Sequence, residues 1–98
     1  MDFKGQKVLI RSYSAGVHFG TVIEEQFTIA GKVVVLKDSR RIHQWEGACS
    51  LSQVALDGIR DGRVAMTLPI DEIVGVIETI PLSEAAIKNL ESQPVWKI

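Results

Sequence analysis

The chain has 98 residues, 46% of them hydrophobic and 23% charged, and a formal net charge of −1. That is ordinary globular usage. It excludes an intrinsically disordered profile, leaves room for one domain over residues 1–98 rather than two, and promises a core, since a chain this long buries roughly 60–70% of its unfolded surface. Eleven basic against twelve acidic side chains argue against general duplex-DNA binding, and a single cysteine, Cys49, excludes an internal disulfide and fits a reducing cytosol.

The segment Met1–Lys7 carries two lysines with no apolar stretch behind it, and the longest aliphatic runs, Val8–Ile10 and Val33–Leu36, are short. Neither a signal peptide nor a membrane span is therefore expected, and the protein is expected in the cytoplasm. Lys7–Tyr13 is rich in β-branched residues and reads as a first strand. A second extended run, Val17–Ile23, puts Val17, Phe19, Thr21 and Ile23 on one face and His18, Gly20 and Val22 on the other. Glu24–Gln26 reads as a turn or strand edge. Phe27–Ile29, Ala30-Gly31-Lys32 and Val33–Leu36 read as a hairpin with glycine in its bend. Asp38-Ser39-Arg40-Arg41 reads as a polar break before a short strand, Ile42–Trp45.

The clearest helix begins at Ser50, where Ser50 and Gln53 have capping-box spacing. Leu51, Val54, Ala55 and Ile59 recur at helical spacing, and Gly58 suits the C-cap. Asp61-Gly62 reads as a turn. Val64–Leu68 and Ile73–Ile80 read as strands separated by Pro69 and Asp71-Glu72. After Pro81, Ser83 is a good N-cap for a second helix over Glu84–Leu90, and Pro94 leaves Val95-Trp96-Lys97-Ile98 as an apolar tail.

The sum is an α+β fold: a small, mainly antiparallel sheet or half-barrel of about six strands with two short helices. Two helices each about 12 Å long cover at most one face of such a sheet. Yet Val8-Leu9-Ile10 and Val33-Val34-Val35-Leu36 present apolar side chains on both faces. The second face needs barrel closure or another copy of the chain. A homo-oligomer is the expectation, with Trp96 as an interface anchor.

Chemistry-bearing motifs are sparse. His18, His43 and Cys49 lack zinc-motif spacing, so no metal site is expected. There is no Gly-x-Ser-x-Gly elbow, and Gly16 and Gly20 lack Walker spacing. Adjacent carboxylates in Glu24-Glu25 and Asp71-Glu72 point to opposite faces of a strand. No catalytic residue, no enzyme activity and no cofactor are expected. Two polar junctions remain. Arg11, Ser12, Tyr13, Ser14 and His18 form one; Asp38 to Arg41, His43, Gln44 and Trp45 form the other. Arginine forks suit phosphates and aromatic rings suit bases, so Arg11, Tyr13, Ser14, His18, Arg40, Arg41 and Trp45 are the candidate binding residues for a small anionic, nucleotide-like ligand. The plainer alternative pairs Arg11 and Arg40 with Glu24 or Asp38 on the surface and buries Tyr13 and Trp45.

The string Tyr13-Ser14-Ala15-Gly16-Val17-His18-Phe19-Gly20 resembles the opening of a family of small phage and prophage proteins of unknown function. Arg40-Arg41-Ile42 with Trp45, Gly47-Ala48 and Ser50-Leu51-Ser52 is similar too, as are Ile77-Glu78, Ser83-Glu84-Ala85-Ala86 and Asn89-Leu90. The resemblance spans nearly the whole chain and carries over no catalytic residues. It implies a phage or prophage origin and expression in the cytoplasm of an infected or lysogenic bacterium. The expectation is a non-enzymatic phage accessory protein: an oligomeric module that binds a small anionic ligand and sequesters a host defence signal. The competing reading is a structural or protein-interaction component, either a virion accessory or an inhibitor of a host protein.

Overall fold

The computed structural model of the chain describes residues 2–98. In chain order the elements are β1 (Lys7–Ser12), β2 (Gly16–Thr28), β3 (Gly31–Glu46), α1 (Leu51–Asp57), β4 (Asp61–Val64), β5 (Leu68–Pro81) and α2 (Glu84–Glu91). All named strand pairs are antiparallel. Among the described residues no helix is long and apolar enough to cross a membrane.

The expected six strands are five. Glu24–Gln26 continues β2, Asp38–Arg41 lies within β3, Asp71-Glu72 lies within β5, and Asp61-Gly62 opens β4 instead of turning. Bulges are the reason. The β2–β3 register shifts between Phe19 and Thr21 and again between Val22 and Glu24. Asp38, beside the first of these shifts, is the one described non-glycine residue with positive φ, at 52°. An extra residue bends a strand and deepens its twist without ending it. The polar run at Asp38 is therefore a bend, while Asp71-Glu72 simply pairs in register with Leu36 and Val35.

Those bends also decide the architecture. β1 lies between β2 and β5, while β3 pairs with both β5 and β2. The sheet thus curls back on itself. β4 is hydrogen-bonded to β3 alone among the named strands, and the fold is a curled sheet, not a closed barrel.

Val8, Leu9 and Ile10 are all fully buried, because each face of β1 meets a different core. Leu9 joins Phe19, Ile42 and Val64 of the sheet and Val54, Ile59 and Leu90 of the helical side. Val8 and Ile10 join Val22, Val34, Leu36, Ile73 and Val76 inside the curl. Each such side chain contributes about 1.5–3 kcal/mol on burial. The sheet's second oily face is therefore covered by the sheet itself, and that face makes no demand for a second copy.

Both helices begin as their caps dictate. Ser50 Oγ accepts from Gln53 N at 3.2 Å, and Ser83 Oγ accepts from Ala86 N at 3.0 Å. Ser83 Oγ also donates to Leu56 O at 2.6 Å. Asn89 exchanges two 2.8 Å hydrogen bonds with the backbone of Ile59, so α2 is pinned to the end of α1.

Candidate functional site

Across the β2–β3 ladder Val17 stands opposite Ile42, His18 opposite Arg41 and Phe19 opposite Arg40. The two polar junctions of the sequence therefore meet. Residues directly opposite share a face and consecutive ones alternate, so the pairing also sorts them. His18 and Arg41 go to one side, Arg40 to the other with Phe19.

Arg40 is buried under the helices. Its Nε donates to Ala65 O at 2.8 Å, Nη1 to Leu90 O at 3.3 Å and Gln93 O at 2.9 Å, and Nη2 to Val64 O at 3.2 Å and Pro94 O at 3.5 Å. Burial lowers its pKa from the ordinary value, yet a guanidinium stays charged at any physiological pH. All five N–H groups are directed at carbonyls, leaving none for a ligand. Arg40 clamps α2 and the following chain to the β4–β5 link.

His18 is buried at the end of the inner core, beside Ile10. Its Nε2 lies 2.7 Å from Ala15 O, which assigns Nε2–H as the donor. Nδ1 has no hydrogen-bond partner among the described residues and stands 3.6 Å from Asp71 Oδ2. Ser39 Oγ donates to the same carboxylate oxygen at 3.1 Å. Burial pushes the imidazole pKa down, partly offset by the Ala15 carbonyl and Asp71, with Arg41 and His43 adding to the fall. Asp71 sits between Ser39 and His18. A nucleophilic triad needs the imidazole in the middle, so Ser39 has no base beside it here.

Arg41 is exposed, and its guanidinium packs over Gly16. A Cβ added at Gly16 would stand 3.1 Å from Nη2, and the glycine's φ of 83° excludes ordinary side chains as well. The Arg41 side chain makes no hydrogen bond or ion pair with any described residue, while its carbonyl accepts from Ala65 N at 2.9 Å. Two positions further along β3, the His43 ring lies 5.1 Å from that of Trp96, tilted by 55°. The Arg63 guanidinium, from β4, lies 5.4 Å from the Trp96 ring centre. Trp96 is held there by its own backbone: its N–H donates to Val64 O at 2.8 Å, next to a parallel bridge between Val64 and Val95. The result is an exposed group of a guanidinium, an imidazole and an indole, with Arg41 two residues away along β3 and its fork over Gly16.

The other candidates fall elsewhere. Arg11 is exposed and faces Glu78, Nε to Oε1 at 3.5 Å, where the plainer alternative has Glu24 or Asp38. Tyr13 and Ser14 are exposed in the β1–β2 turn. Trp45 is half-buried against the helix-side core, its Nε1 donating to Ala48 O at 3.3 Å. Arg63 was not among the candidates, and Trp96 was read as an interface anchor. Only the β3–β4 pairing and the docked tail bring these two to His43, and no local signal marks that. Among the described residues, no group of three or more His, Cys, Asp or Glu side chains could hold a metal ion.

No curated protein and no solved structure matches the chain. One family model does match, over residues 5–90, and it describes a domain of unknown function.

Proposed function

The chain belongs to that family, DUF6948, and from its geometry we propose that it is a non-enzymatic binding module that holds a small anionic, nucleotide-like ligand on the Arg41–His43–Arg63–Trp96 patch. One observation carries the reading: the Arg41 side chain is exposed and unpartnered among the described residues, two positions along β3 from His43, which meets the Trp96 indole that Arg63 also approaches. An arginine fork matches phosphate oxygens two at a time, and an indole face takes a base or a similar flat ring. His18 stands opposite Arg41 across the β2–β3 ladder and ties down the β1–β2 turn through Ala15 O.

The resemblance to phage and prophage proteins supports an accessory role during infection. The concrete version is capture of a nucleotide-derived host defence signal in the bacterial cytoplasm. Homo-oligomers, with ligand shared between copies, belong to the same proposal.

Thermal unfolding with a panel of linear and cyclic nucleotides tests it. A ligand present at about 100 times its Kd adds about 2.7 kcal/mol of stability, which is a clear rise in Tm. Arg41→Ala and Trp96→Ala, both surface changes, should abolish the rise while leaving the unliganded Tm near that of the parent. Unaltered Tm values across the whole panel would refute the proposal.

A second reading, as a protein-interaction component, is favoured by a different observation. Ile70, Val74 and Ile77 are exposed along β5, on the part of the sheet that the helices leave uncovered. Apolar side chains gathered on one open strand are a marker of protein contact. Ile70→Ser with Val74→Ser should then abolish partner binding without altering any nucleotide response.

A further inference from the structure

A separate hollow of about 200 Å³ opens between the Gly20 stretch of β2, the Asp38 bend of β3 and α2. It is none of the surfaces assigned above. Its existence follows from the bulge. At Gly20 the two strands approach so closely that an added Cβ would stand 2.9 Å from Lys37 O. β3 then swings away through the left-handed Asp38. Backbone held in a sparsely populated region tends to accompany ligand clamps, because the surrounding structure must over-determine it.

The lining is chemically specific. Phe19, Leu82 and Ile87 make an apolar wall. At the mouth Lys7 Nζ and Glu91 Oε2 pair at 2.6 Å, which leaves the ammonium two further N–H donors. Asp38 is also part of the lining, and its carboxylate has no ion-pair partner among the described residues. Arg40 lies in the lining with its donors saturated by carbonyls, so it supplies positive potential and no hydrogen bond.

We infer that this hollow is a binding site for a small zwitterion with an apolar side chain, of the α-amino acid class. The lining carries two positive and two negative groups, so an amine alone or a carboxylate alone meets a repelling charge with each attracting one. A molecule bearing both can set its ammonium on Asp38 and its carboxylate on the free donors of Lys7, under the Arg40 potential. Its aliphatic part then covers Phe19, Leu82 and Ile87. A volume of about 200 Å³ has room for a branched amino acid.

Titration of the 15N-labelled protein with leucine, with isoamylamine and with 4-methylpentanoate separates these cases. Leucine should move the amide signals of Thr21, Asp38 and Ile87 saturably, and bind at least about tenfold more tightly than either half-molecule, the loss expected for one charged hydrogen bond. Asp38→Asn, which keeps a residue at ease with positive φ, should weaken leucine about tenfold at unchanged Tm. Arg41→Ala should leave leucine binding intact, which separates this site from the nucleotide patch. No saturable movement up to the solubility limit would overturn the inference. Half-molecules that bind as tightly as leucine, or full affinity in Asp38→Asn, would do the same.

Discussion

Arg40 directs its N–H donors at carbonyls of Val64, Ala65, Leu90, Gln93 and Pro94, and no carboxylate is among its partners. Arg40→Met fills a similar volume but strips five carbonyls of a charged donor. It should cost about 2–4 kcal/mol, read as a fall in the urea midpoint at constant m. Arg40→Lys, with three donors and no planar fork, should fall between. His18 makes stability depend on pH. Its folded pKa is depressed below 6.5, so the unfolded chain binds the proton more readily. The stabilisation is full above the unfolded pKa and is lost as pH falls through that value towards the folded one. Facing the ring are Asp71, Arg41 and His43, of which Asp71 alone favours its charged form. Tm should therefore drop on going from neutral to mildly acidic buffer, and His18→Gln should flatten that slope. At this scale the sequence was only partly legible. Arg40 and Arg41 are neighbours with the same chemistry, and strand alternation alone sends one into the interior and the other to the surface.

At the scale of elements, the joint between the helices is specific. Gly58 ends α1 with φ 79°, and the Asn89 side chain packs where a Cβ at Gly58 would stand. Asn89→Ala leaves the N–H of Ile59 without a partner and its C=O with only the 3.4 Å bond from Gln93 Nε2, and should cost about 1–3 kcal/mol by chemical denaturation. Gly58→Ala should cost at least as much, since it adds a strained φ to a steric conflict. Both helix starts were legible because capping is local: Ser50 and Ser83 announce them. The long strands were not. Glu24–Gln26, Asp38–Arg41 and Asp71-Glu72 look like interruptions, yet the strand continues past each because a neighbour pairs with it: Glu24–Gln26 with Val33–Val35, Arg40-Arg41 with His18-Phe19, and Asp71-Glu72 with Val35-Leu36. The strand pairing that rescues a polar run comes from residues far away in sequence, and so leaves no local mark.

For the molecule as a whole, β1 makes two cores into one cooperative unit. Leu9 belongs to the helix-side cluster and Ile10 to the cluster inside the curl. Leu9→Ala and Ile10→Ala should each cost about 2–5 kcal/mol and shift a single transition. Tryptophan fluorescence, with Trp45 beside the helix-side core, and far-UV circular dichroism should then give coincident curves in both variants. Two separated transitions would mean that the cores fold apart. The need to shield both faces of the valine-rich strands was plain from their unbroken apolar runs. The choice of cover was not, because curling depends on bulges that a pattern of hydrophobic residues does not encode.

The position of β1 between β2 and β5 also bears on how the chain is made. Its second neighbour is the last strand, ending at Pro81. While the ribosome is still extending the chain, Val8 to Ile10 must wait with one row of amide groups open, and such an edge invites pairing with another nascent chain. Completion of the sheet thus waits until β5 has been made, and a truncated product ending before β5 should aggregate where the full chain does not.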